Sequence, residues 1–129
     1  MKAQLTLLPL FIISLFVVGC STPVAIDPMT SQEQTARYQA GYFYGPLNTD
    51  ALPAFKSTIR QLDAMGYFRT GELHDDDAIT IYARKVGDEK VTVKITQLEA
   101  GLSEVRIRIG KLGNLAESQS IYAKIRDAL

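Results

Sequence analysis

The chain has 129 residues, 14 basic and 14 acidic side chains, one histidine, one cysteine and no tryptophan. That length holds one domain, or one domain with an appendage. The zero net charge excludes a broad electrostatic affinity for nucleic acid, and a single cysteine excludes an intramolecular disulfide framework.

Lys2 supplies a positive start, and "LTLLPLFIISLFVVG", residues 5–19, is apolar apart from Thr6 and Ser14. A membrane-spanning helix needs roughly 20 apolar residues, so this run is short for a span and has the length of a signal-peptide hydrophobic region. The only cysteine follows at once. "VVGC", residues 17–20, resembles the bacterial lipobox. That resemblance implies cleavage before Cys20, a diacylglyceryl group on its sulfur and acylation of the new amino terminus. Two or three acyl chains, at about 0.8 kcal/mol per buried methylene, hold a protein on a bilayer almost permanently. Ser21 in place of Asp implies, by the same resemblance, the periplasmic face of a Gram-negative outer membrane. Residues 1–19 are thus expected to be removed. Without Lys2, the mature chain keeps 13 of the 14 basic groups against 14 acidic ones, a charge of −1.

Residues 20–37 read as the lipidated cysteine and a flexible tether, polar and carrying Pro23 and Pro28. Its 17 residues after Cys20 would typically span about 20–25 Å and at most about 58 Å. "YQAGYFYGPL", residues 38–47, reads as a first strand ended by Gly45-Pro46. A helix follows, with Asp50 as N-cap, Pro53 in the tolerant first turn and Gly66 as the stop. Leu52, Phe55, Ile59, Leu62 and Met65 recur at helical spacing and predict its buried stripe.

After Gly66 the period changes to two. "YFRTGEL" predicts a strand and "HDDD" a turn. "AITIYAR", "KVTVKITQL" and "EVRIRIG" then alternate apolar with polar residues, as antiparallel strands with one buried and one wet face do. Asn114 and Glu117 form a capping-box pattern for a last helix whose apolar face carries Leu115, Ser118, Tyr122, Ile125 and Leu129, with Ile121 beside it. The expected fold is α+β: one domain over residues 38–129, order β-α-β-β-β-β-α, an antiparallel sheet with both helices on its apolar face.

The run from residue 75 to 125, and "IRIGKLGNLAESQSI" (residues 107–121) above all, resembles a family of short Gram-negative envelope lipoproteins catalogued as a domain of unknown function. Members share the lipobox and a segment like "VRIRIGKLGN" before the final helix. Leu112 stands where they commonly have an aromatic, and Asn114 where they have Asp. The resemblance implies fold and location and supplies no mechanism.

Candidate chemistry is sparse. "HDDD", residues 74–77, gathers the one histidine with three carboxylates. Consecutive residues in a tight turn rarely converge on one ion, and calcium-loop spacing is absent, so a solvated turn is the expectation and no metal site is assigned. A metal-dependent factor using this turn stays as an alternative, as does a carrier with a lipid or small ligand between helices and sheet. "GKLGN" lacks the phosphate-loop pattern and reads as a strand exit and helix cap. No nucleophile elbow occurs, so no catalytic residue and no cofactor is expected. The aromatic run Tyr38, Tyr42, Phe43 and Tyr44 reads as core and edge filling. On the wet face, alternation puts Arg84, Lys94, Arg106 and Arg108 on one side near Tyr82 and Thr92, a basic surface for an anionic partner. The expectation is a non-enzymatic, membrane-anchored binding or accessory module of the envelope. Its partners would be the bilayer through Cys20, another envelope protein, or an anionic lipid or glycan.

Overall fold

In the computed structural model, residues 36–129 are described in full and residues 22–24 by their backbone. The predicted leader, Cys20 and most of the predicted tether lie outside the described residues. The elements run β1 (Thr22–Val24), β2 (Ala36–Gln39), β3 (Tyr42–Leu47), α1 (Ala51–Ala64), β4 (Phe68–His74), β5 (Ala78–Lys85), β6 (Glu89–Glu99), β7 (Leu102–Ile109) and α2 (Leu115–Asp127).

The period-two alternation of β5, β6 and β7 becomes three paired antiparallel strands with Val91, Val93, Ile95, Val105, Ile107 and Ile109 all buried on one face. The sheet order is β1-β2-β3-β7-β6-β5-β4, antiparallel throughout. After β3 the chain crosses as α1 to the far edge, then meanders back until β7 lies beside β3. Both helices cover the apolar face, where Leu62, Ile121 and Ile125 meet Phe43, Ile81 and the strand valines and isoleucines. Among the described residues no helix is long and apolar enough to cross a membrane.

The predicted α+β order is present, with extra strands before α1. The single strand expected over residues 38–47 is a hairpin, because Ala40 and Gly41 both take positive φ (52° and 81°) and reverse the chain in two residues. Thr22–Val24 and Ala36–Arg37, read from sequence as tether, both join the sheet, where Thr22–Val24 pairs with Ala36–Tyr38.

The buried face of α1 also differs from the expected stripe. Ala54, Ser57, Thr58 and Leu62 are fully buried, Phe55, Ile59 and Met65 pack on the flank, and Leu52 is exposed. Small residues let α1 lie close to both the sheet and α2. The contact is polar at its centre, where Ser57 Oγ donates to the Ile125 carbonyl at 3.0 Å. Asp50 occupies the N-cap position, yet its carboxylate turns away to accept from Gly101 N–H (2.8 Å) and Gln97 Nε2 (3.0 Å). Gln97 Oε1 accepts from Ala51 N–H at 2.6 Å in its place, so the helix start is tied to the β6–β7 hairpin. Asn114 does cap α2, accepting from Glu117 N–H at 3.0 Å.

Candidate functional site

The outer sheet face carries the sequence-predicted basic residues, and the register decides which of them meet. One transverse row runs Arg37, Tyr44, Arg106, Lys94, Thr80 across β2, β3, β7, β6 and β5. The next row places Arg108 opposite Thr92 and Thr92 opposite Tyr82. Lys94 and Arg106 are therefore direct cross-strand neighbours, with Arg108 two residues along the same strand. Arg84 lies toward the β5–β6 hairpin, where it is paired with Asp88 at 2.6 Å.

On this face three guanidinium groups lie over tyrosine rings. Arg37 sits 4.4 Å from the Tyr44 centroid, and Arg106 and Arg108 sit 4.8 and 4.6 Å from that of Tyr42. Each such contact contributes about 0.5–1 kcal/mol at an exposed site and leaves the charge available to solvent. Arg108 has a second task. Its Nη1 donates to the Ala40 carbonyl at 2.9 Å and its Nη2 to the Lys111 carbonyl, joining the β2–β3 turn to the loop after β7. Arg37 reaches Glu104 at 4.0 Å. Lys94 and Arg106 carry no ion pair among the described residues. Both leave their charge free of any carboxylate.

Alternation along "ARYQ" would have placed Arg37 here, had residues 36–37 not been assigned to the tether. Tyr42 and Tyr44, expected in core or edge, stand on the wet face, while Phe43 between them is buried against Tyr122 (ring centroids 5.2 Å apart).

The acidic turn does not assemble a site. His74 Nε2 lies 3.0 Å from a Glu72 carboxylate oxygen and its ring stands edge-on to Phe55. Asp75 N–H donates to the Ala78 carbonyl, closing the turn. Among the described residues no three His, Cys, Asp or Glu side chains gather where a metal would need them. The "GKLGN" segment is consumed by structure. Gly110 N–H donates to the Lys90 carbonyl, Lys111 holds Arg108 through its carbonyl, and Gly113 lies against Gly41.

A third constellation was invisible in the sequence. Glu117 of α2 accepts from the Tyr67 hydroxyl at 2.6 Å and from Lys85 Nζ at 2.8 Å. Burial alone would raise the Glu117 carboxyl, but the hydrogen bonds from Lys85 and Tyr67 outweigh it and hold the carboxyl below its ordinary value. The hydrogen bond to Glu117 raises Lys85. Burial, then the same carboxylate, pushes the Tyr67 hydroxyl up. Each group is held in its resting protonation state, the opposite of what proton transfer near neutrality requires. The trio is a structural tie between α2, β5 and the end of α1.

The lowered Glu117 stabilises the fold above its unfolded value of about 4.3, and that contribution disappears as pH falls through the folded value. The raised Lys85 and Tyr67 stabilise below about 10.4 and 10 and lose their contribution as pH rises further. Thermal unfolding across pH should show the wild type more stable than Glu117→Gln near neutrality. The difference should shrink toward zero below about pH 4 and narrow again above about pH 10. A constant difference across the range would contradict this assignment.

No curated protein matches the chain. Residues 4–128 match the profile of the family described as protein of unknown function (DUF3568). That match spans nearly the whole sequence, and the chain belongs to this family.

Proposed function

We propose that this protein is a lipid-anchored, non-enzymatic envelope module, fastened through Cys20 to a Gram-negative membrane, whose outer sheet face holds an anionic envelope component. The anchor rests on the short apolar leader, the "VVGC" motif and the polar "STP" that follows. Ser21 favours the periplasmic face of the outer membrane. The observation that carries the binding role is the pairing of Lys94 with Arg106 in one row beside arginine-stacked Tyr42 and Tyr44, with no ion pair at either cation among the described residues. Unpaired cations, one of them held over a tyrosine ring, suit a ligand that carries negative charge. The carrier alternative has less support, because Phe43, Leu62, Ile121 and Ile125 occupy the layer between helices and sheet.

Affinity for immobilised polyglutamate tests the face. Lys94→Gln with Arg106→Gln should weaken retention on the order of tenfold, at about 0.7 kcal/mol for each exposed charge contact. The loss should fade at high salt. Lys56→Gln with Arg60→Gln, on the exposed side of α1, should leave retention unchanged. Equal weakening by both pairs would reduce the face to general charge and contradict the reading.

A further inference from the structure

The outer face is not the only surface that the register assembles. Gln39 and Tyr42 close the β2–β3 hairpin, Arg108 of β7 lies beside Tyr42, Ile109 pairs with Val91, Lys85 with Glu89, and Phe68 with Arg84. The Ala40–Gly41 turn, the 110–114 loop, the 86–88 hairpin tip and the start of β4 therefore all lie at one end of the sheet. Three large apolar side chains stand in solvent there. Phe68 is 67% exposed, Val86 82% and Leu112 89%, whereas Leu52, Leu73 and Leu98 toward the opposite end range from 49% to 54%. Lys90, Lys111 and Arg108 belong to the same end, together with Asp88, which Arg84 pairs, and Glu89.

The chain emerges at this same end. Thr22 pairs with Tyr38 and Val24 with Ala36, so β1 starts beside the Ala40–Gly41 turn. Thr22 is two residues after Cys20, a reach of at most about 7 Å. Pairing of β1 thus shortens the leash from the tens of ångströms that a free tether would allow.

We infer that this end of the sheet docks on the bilayer that holds the acyl chains, with Leu112, Val86 and Phe68 entering the interfacial region and Lys90 and Lys111 meeting lipid phosphates. Apolar tips beside basic residues, at the end of the sheet from which an acylated Cys20 would emerge, are what an interfacial anchor requires. The outer face then stands upright from the membrane and stays open to its ligand. This inference rests on the lipid anchor proposed above.

The test uses the acylated protein in vesicles of phosphatidylcholine and phosphatidylglycerol. Leu112→Cys and, separately, Leu98→Cys each carry a nitroxide, since Cys20 is blocked by its lipid. Collision with a water-soluble nickel complex should be several-fold lower at position 112 than at position 98, with collision by oxygen correspondingly higher. Phe68→Ser with Val86→Ser should raise nickel access at 112 while circular dichroism stays unchanged. Equal nickel access at 112 and 98 on a protein shown by mass to be acylated would overturn the docking and leave the anchor standing. Absence of the acyl mass would instead remove the anchor itself.

Discussion

Gly45→Val should destabilise the domain by about 3 kcal/mol, lowering Tm by roughly 15 °C for a domain of this size. Gly45 lies on the inward face of β3, between buried Phe43 and Leu47. The Tyr122 ring of α2 packs against its backbone, so a Cβ at Gly45 would stand 2.5 Å from the ring carbon Cε2 and 2.8 Å from Cδ2. The Tyr122 hydroxyl donates to the Pro46 carbonyl next door, and burial pushes that phenol up to about 12. The ring therefore cannot retreat without losing both its packing and its hydrogen bond. The clash is local, which makes it separable. In a double-mutant cycle, Tyr122→Leu should recover a large part of the loss caused by Gly45→Val, because the two residues share one space. Additive losses in chemical denaturation would mean that Gly45 acts through something other than the ring.

Gly113→Ala should cost about 3 kcal/mol as well, by a different route. Gly113 takes φ +78°, a region that costs an L-residue about 1 kcal/mol or more. A Cβ there would also strike the Gly41 carbonyl and come within 2.6 Å of the Tyr38 hydroxyl. The two glycines let the loop after β7 lie directly on the β2–β3 turn, the junction that Arg108 bridges from below. Gly71→Ala provides the contrast. Nothing lies within 4 Å of its Cβ position and its φ is not positive, so its effect should stay within about 0.5 kcal/mol. Equal losses at Gly71 and Gly113 would contradict this account of the junction.

The meander was readable because strands with one wet face write their orientation into alternate residues, as "KVTVKI" does. Helix α2 was readable from its cap. Helix α1 was read in place but not in rotation, since a hydrophobic stripe favours large residues such as Leu52, while close packing against two layers selected Ala54 and Ser57. The β2–β3 hairpin was hidden by a continuous aromatic run and by Ala rather than Asn at the first turn position. Arg106 and Lys94 could be placed on one face by alternation alone, but their adjacency depends on pairing between β6 and β7. The trio of Tyr67, Lys85 and Glu117, and the gathering of Phe68, Val86 and Leu112 at one end, depend on contacts between segments far apart in the chain, which periodicity does not encode.

The anchor is the claim on which location, ligand face and docking end all depend. Mass spectrometry of the intact protein recovered from cell membranes tests it most directly. The recovered chain should begin at Cys20 and carry the added mass of a diacylglyceryl group and an amide-linked acyl chain, with Cys20→Ala giving no lipidated species. A membrane-derived chain that still begins at Met1, or one that begins near residue 20 with its thiol free, would contradict it.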